Sequence, residues 1–203
     1  MEITITRKHL DKSLTYSAFK KLTEDLLAKN KTTGANQSAD YIEYTKLNFQ
    51  RMQRIEKTVH LQPEMIDALQ NNPAPLYWVV LAEAWCGDVA QNLPIIAKMA
   101  DAAPNIELCV LLRDENPEIM DAYLTNGGRS IPKLICLKQT DLSELGQWGP
   151  RPKTVQEMVL QHKKDQKETY AEFSKIVQMW YTKDKGISLQ NEFIELLKSW
   201  QKG

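Results

Sequence analysis

The sequence lacks a cysteine pair. Its three cysteines, Cys86, Cys109 and Cys136, are odd in number, widely spaced and never part of a CxxC or CxxH arrangement. This pattern argues against a disulfide framework and against a cysteine-based zinc site. We therefore expect three reduced thiols and predict no metal or other cofactor.

The sequence also lacks an excess of charge and any long apolar run. Its 26 lysine and arginine residues are matched by 26 aspartate and glutamate residues, so no basic face indicates nucleic acid or an anionic membrane as a partner. No window approaches the roughly 18 apolar residues of a membrane span, and the N-terminus has neither the apolar segment nor the cleavage site of a signal peptide. These absences predict a soluble, cytoplasmic protein.

Internal repeats, low-complexity tracts and Pro/Ser-rich linkers are absent as well, and 203 residues suit one sizeable core. Changes in hydrophobic period divide this single domain, residues 1–203, into three parts. Residues 1–72 form a helical N-terminal extension, residues 73–150 form the core, and residues 151–203 form a helical C-terminal extension. The oligomeric state stays open.

The N-terminal extension is predicted to contain an early helix, a loop and a longer helix that starts after a Ser38 cap. Apolar spacings of three and four give the longer helix one continuous stripe that must pack on another element. The stripe consists of Tyr41, Tyr44, Asn48, Met52, Ile55 and Val59.

The middle part changes to the short apolar runs typical of buried strands. "LYWVVLA" (76–82) and "IELCVLLRD" (106–114) are two such runs, each followed by a helical segment, and "KLICL" and "LSELGQW" then form a hairpin. The second of these helices is expected to stop at Asn126-Gly127. Strand–helix alternation implies a parallel pair with helical crossovers, so the predicted order is βαβαββ in an α/β fold.

One stretch of this core, "EAWCGDVAQNLP", resembles the reactive corner of a thioredoxin. The resemblance rests on Trp85-Cys86-Gly87 after a strand, on Pro94 in the following helix and on Ile131-Pro132 at the start of the third strand. It implies a thioredoxin-like fold with a mixed sheet, to which helical segments are added at both ends. It also implies a cis peptide at Ile131-Pro132 that faces Cys86.

Three positions depart from the thioredoxin pattern. Val89 occupies the place of the second cysteine, Asp88 stands where thioredoxins often have proline, and Val80 replaces the buried acid six residues before Cys86. Ordinary dithiol reductase activity is therefore not expected. Cys109 and Cys136 are too far along their strands to pair with Cys86 and are expected to be small buried strand residues.

The reactivity of Cys86 depends on two opposed influences. A helix N-terminus favours the thiolate, whereas a carboxylate about 6 Å away repels it by roughly 0.7 to 3 kcal/mol for effective dielectric constants of 80 to 20. These influences nearly cancel, so Asp88 is a candidate modulator of the pKa of Cys86. Alternatively, Asp88 is a helix-capping acid with no chemical role.

The leading functional prediction is a monothiol thiol–disulfide redox protein. Cys86 is its nucleophile, and an external thiol resolves the mixed disulfide because Val89 cannot. The partner is then a thiol or disulfide protein, or glutathione, and Arg129 is a candidate to pair with a substrate carboxylate. The predicted substrate-binding residues are Trp85, Gly87, Arg129, Ile131 and Pro132.

Two alternatives belong to other classes. In the first, the chain is a non-catalytic module that holds an extended peptide in the groove between Cys86 and Pro132. In the second, which the sequence favours least, it is a glutaredoxin-like carrier of an iron–sulfur cluster with glutathione, although Asp-Val follows Cys86-Gly87 where that family has an aromatic residue and a serine. Arg113 and Asp114 either line the site or form an ion pair at a strand end.

Overall fold

A computed structural model describes residues 5–165 and 167–201. The remaining residues of the predicted extensions, 1–4, 166 and 202–203, lie outside this described part. The core is a four-stranded mixed sheet with the strand order β2-β1-β3-β4. Its strands are β1 (Leu76–Ala82), β2 (Ile106–Leu112), β3 (Lys133–Lys138) and β4 (Glu144–Trp148).

The sheet pairing follows from the connections. β1 lies parallel to β2, because helix α5 (Gly87–Asp101) crosses over between them, and antiparallel to β3. β3 and β4 form the predicted antiparallel hairpin. With helix α6 (Pro117–Ala122) before β3, the element order is βαβαββ. The predicted α/β fold is therefore confirmed.

Two predicted boundaries in the core were wrong. β2 ends at Leu112, and Arg113–Glu115 form a 3-10 turn, because the backbone N–H of Asp114 donates to a side chain, Glu83 Oε1, at 2.9 Å. Helix α6 ends at Ala122, before Asn126-Gly127. Those two residues instead turn the chain at positive φ inside the Thr125–Gly128 bridge.

Four helices precede the sheet in the described part of the chain. They are α1 (Arg7–Asp11), α2 (Tyr16–Ala28), α3 (Ala39–Thr58) and α4 (Pro63–Gln70). The long helix α3 begins after Ser38 as predicted and packs against α5. Its buried stripe begins at Ile42 and Thr45, so the predicted assignment of Tyr41 and Tyr44 to this stripe was wrong. The two tyrosines line a cleft instead.

Within residues 149–165 and 167–201, three helices follow the sheet. They are α7 (Lys153–Asp165), α8 (Tyr170–Asp184) and α9 (Ile187–Trp200). Thr169 begins α8 with a capping box that includes Glu172, so α8 starts as a separate helix. Phe193 of α9 packs edge-on against Trp78 of β1 with the ring centroids 5.1 Å apart, which attaches the last helix to the sheet. None of the helices in the described residues is long and apolar enough to cross a membrane.

Candidate functional site

A cleft of about 1110 Å³ lies where β1 leads into α5. It brings together six of the seven predicted site residues; the seventh, Pro132, is buried next to Ile131 in the chain. The six lining residues are Trp85, Cys86, Gly87, Asp88, Arg129 and Ile131. The other wall, which the sequence did not indicate, comes from α3 and α8.

Cys86 is the N-cap residue of α5 and is the partly exposed member of the three cysteines. Its Sγ donates a hydrogen bond to the carbonyl oxygen of Ile131 at 3.3 Å, and the Ile131-Pro132 peptide is cis. Burial, followed by the charge of Asp88, raises the pKa of the Cys86 thiol to about 12. The backbone N–H groups of Val89 and Asp88 lower this pKa, but burial outweighs them.

Asp88 is bound by two residues that the sequence reasoning missed. Its Oδ2 accepts hydrogen bonds from Arg151 Nε at 2.9 Å and Nη2 at 2.6 Å, and its Oδ1 accepts one from the Tyr181 hydroxyl at 2.7 Å. The carboxylate therefore ties the first turn of α5 to α8 and to the segment before α7. A lone arginine in "GPRP" carries no sequence signal for such a contact, because its partner lies 63 residues away.

Arg129 forms an ion pair with Asp121. Its Nε and Nη2 donate to the two carboxylate oxygens of Asp121, both at 2.6 Å, and both side chains are about half exposed. Because solvent competes for such a pair, a ligand carboxylate can replace Asp121 at low cost. The predicted role of Arg129 in substrate binding stays a prediction.

Trp85 is placed by an aromatic and a cationic neighbour. The ring of Tyr41 lies 4.9 Å from the Trp85 ring, and the Arg113 guanidinium lies over the indole at 4.7 Å. Arg113 also pairs with Asp114 at 2.7 Å and lines the cleft. The two alternatives for Arg113, site residue and strand-end ion pair, are therefore both present.

Glu83 is a buried acid that the sequence reasoning overlooked. It is fully buried three residues before Cys86, and burial raises the pKa of its carboxyl group while Thr33 and the Asp114 amide lower it. Val80, at the position where the resemblance implies a buried acid, is an apolar core residue. An acid directly after a continuous apolar strand was the signal available in the sequence.

The other two cysteines are core residues, as expected. Cys109 is 2% exposed and Cys136 is completely buried. Burial raises the pKa of Cys136 to about 12. Within residues 5–165 and 167–201, no three His, Cys, Asp or Glu side chains come together as a possible metal site.

The fold and this site define a class of protein. A βαβαββ mixed sheet with a lone cysteine at the N-terminus of the first crossover helix is a thioredoxin-like domain, here with helices added before and after the sheet. A family profile described as thioredoxin, Thioredoxin_9, matches residues 34–185, which is most of the sequence. The chain belongs to this thioredoxin family.

Two solved structures have the same fold. A protein of unknown function from Pseudomonas aeruginosa, PA1234, is 16% identical, and the alignment covers 97% of this chain and 98% of that one with a TM-score of 0.65. An HIV epitope-scaffold is also 16% identical, with 95% and 96% coverage and a TM-score of 0.61. A search of curated proteins finds no significant match. At such low identity, these likenesses describe the fold alone.

Proposed function

We propose that this thioredoxin-like protein binds a polypeptide segment in the Cys86 cleft, with Cys86 present as a neutral thiol. The observation that carries this proposal is the open cleft at Cys86, whose thiol donates a hydrogen bond to the carbonyl oxygen of Ile131 at 3.3 Å. Burial, followed by the charge of Asp88, also raises the pKa of this thiol to about 12. A thiol whose pKa is raised in this way is protonated at neutral pH, which leaves little nucleophile for disulfide exchange.

The test is the pH dependence of Cys86 alkylation. Native protein is treated with iodoacetamide between pH 6 and 10, and the modified peptide is quantified by mass spectrometry, with Cys86→Ser as the control for the buried cysteines. We expect a rate that still rises at pH 10 without a plateau. A plateau below pH 8 contradicts the proposal, because it requires a thiolate at neutral pH.

Monothiol redox chemistry is the second candidate, and one observation favours it. Cys86 opens onto the cleft at a helix N-terminus, where the N–H groups of Asp88 and Val89 favour the thiolate. In this reaction Cys86 loses its proton and bonds to one sulfur of a substrate disulfide, while the other sulfur leaves as a thiolate and is protonated. An external thiol then attacks the mixed disulfide and restores Cys86.

The raised pKa also affects the later steps of that reaction. The thiolate of a high-pKa cysteine is a poor leaving group, so attack by an external thiol on the partner sulfur is slow. Monothiol activity by Cys86 is thus expected to yield a long-lived adduct. Incubation with oxidised glutathione, followed by intact mass measurement, tests this candidate: a single adduct that is absent from Cys86→Ser supports redox chemistry, and no adduct argues against it.

A further inference from the structure

The wall of the cleft opposite Cys86 carries an unusual share of exposed apolar side chains. Four of the eight large hydrophobic side chains that are exposed in the described part of the chain line this one cleft. They are Tyr44 and Leu47 of α3 and Tyr170 and Met179 of α8, with exposures between 43% and 76%. Such clustering on a protein surface marks a binding site, since single exposed apolar residues are ordinarily scattered.

The same cleft has more cations than its local acids neutralise. Its lining contains six arginine and lysine residues and one acid, Asp88. Arg113, Arg129 and Arg151 each have an acidic partner. The other three are Arg51, Lys175 and Lys183, which form no salt bridge with any residue that the structure describes. Because the chain as a whole is neutral, this local surplus does not reflect its composition.

The side chain of Arg51 lies beside the start of α5. A Cβ added at Gly87 would lie 3.8 Å from Arg51 Nη1, which donates a hydrogen bond to Asn48 Oδ1 at 2.8 Å. Burial, together with Arg54, lowers the pKa of Arg51, so its charge is partly desolvated without a counter-ion. An anionic group of a bound ligand at this point would supply the counter-ion for Arg51.

The spacing on α8 indicates the conformation of the ligand. Lys175, Met179 and Lys183 are four residues apart, so they share one face of the helix and follow each other at about 6 Å. Side chains on one face of an extended strand follow each other at about 6.6 Å. An extended segment with an acid, an apolar residue and an acid at alternate positions therefore matches this face in both spacing and chemistry.

We propose that the cleft binds an extended acidic polypeptide segment of this acid–x–apolar–x–acid pattern along α8, with a further carboxylate at Arg51. This inference rests on the proposed function and names its ligand. A polypeptide fits better than a nucleic acid, because an aliphatic side chain can cover Leu47 and Met179, which offer no aromatic ring on which a base could stack. The thiol of Cys86 has no part in this recognition.

The test uses the full chain and fluorescein-labelled nine-residue peptides, with anisotropy as the readout. The first peptide has Asp, Leu and Asp at alternate central positions and Ser elsewhere. The second has Asn for both Asp residues, and the third has the same composition with the two Asp residues adjacent. We expect the first to bind about tenfold more tightly than the second and a few-fold more tightly than the third at low salt, because each exposed ion pair contributes a few-fold and adjacent Asp residues can reach only one of the two lysines.

Protein variants locate the interaction. Lys175→Gln/Lys183→Gln is expected to lower affinity for the first peptide about tenfold, whereas Lys29→Gln/Lys31→Gln, the same charge change at exposed positions outside the cleft lining, leaves it unchanged. Cys86→Ser is also expected to bind like the wild type.

Each other outcome has a distinct meaning. Equal binding of the Asp and Asn peptides overturns the acidic pattern but leaves peptide binding in place. If no peptide binds, the proposed function fails together with this inference. Tighter binding of a single-stranded oligonucleotide of equal charge, lost in Lys175→Gln/Lys183→Gln, would assign the cleft to nucleic acid and overturn the proposal.

Discussion

The Asp88–Arg151 pair allows a quantitative test of how the C-terminal segment is attached to the site. Two nitrogen atoms of Arg151 donate to Asp88 Oδ2, and the two side chains are only 16% and 15% exposed, respectively. The Tyr181 hydroxyl donates a hydrogen bond to the other carboxylate oxygen of Asp88. The perturbation is a double-mutant cycle with Arg151→Gln and Asp88→Asn.

The expected magnitude follows from this burial. Removing one partner of a buried pair costs about 3 to 5 kcal/mol, and the lower end applies here because both groups retain some solvent contact. Arg151→Gln is therefore expected to lower the free energy of unfolding by about 3 kcal/mol. In the double variant neither charge is left unpaired, so its loss is smaller than the sum of the two single losses. We expect a coupling energy of about 2 kcal/mol.

The assay is urea unfolding followed by tryptophan fluorescence. A loss of about 3 kcal/mol moves the midpoint down by about 1 to 1.5 M for slopes of 2 to 3 kcal/mol/M. The Arg129–Asp121 pair is the control, because it also joins an arginine to an aspartate by two hydrogen bonds but is about half exposed, so its cycle is expected to show much weaker coupling. Equal coupling in the two cycles, or additive losses for Arg151 and Asp88, would refute the reasoning.

Three further predictions concern stability. The pKa of Cys86 is about 12 in the folded state and about 9 when unfolded. The stability that the protonated thiol contributes is therefore complete below pH 9 and is lost between pH 9 and 12. Over that range we expect the free energy of unfolding of the wild type to fall by about 1.4 kcal/mol per pH unit relative to that of Cys86→Ser. Gly149→Ala is expected to destabilise the fold by about 2 to 4 kcal/mol in thermal unfolding, because φ is +117° and the new Cβ would lie 2.2 Å from the Pro132 carbonyl oxygen. Gly127→Ala, at φ +76° with nothing within 4 Å, is its control and is expected to cost much less. Tyr181→Phe removes a buried hydroxyl that bonds to a carboxylate and is expected to cost about 1 to 3 kcal/mol in urea unfolding; an unchanged midpoint would contradict this contact.

Periodic features of the chain were predictable because they depend on near neighbours. The apolar run of β1, with the observed bounds 76–82, needs no partner to be recognised, since a strand buried on both faces is apolar at nearly every position. The start of α3 after Ser38 was equally local. The buried stripe of α3 was harder to predict, because apolar spacings of three and four fit two adjacent faces of the helix. In the structure one face packs against α5, while Tyr41 on the neighbouring face packs against Trp85.

Long-range contacts account for what was missed at the site. Cys86 and Ile131 were identified from the resemblance and Asp88 from its charge near the thiol, but the balance that sets the pKa of the thiol was not predicted. From the sequence, the helix N-terminus and Asp88 are the two visible influences on this pKa, whereas burial is the largest influence in the structure. Burial of one side chain depends on every element around it, and local sequence does not specify that quantity.

The sequence by itself determined the thioredoxin-like core and a lone cysteine at the start of α5. Both are encoded within a few residues: continuous apolar runs, turn and cap residues, and the absence of a cysteine at position 89. Only the tertiary structure placed Arg151 and Tyr181 on Asp88 and brought α3 and α8 together around the cleft. Arg151 and Tyr181 lie 63 and 93 positions from Asp88, and such contacts follow from the packing of whole elements around a shared core.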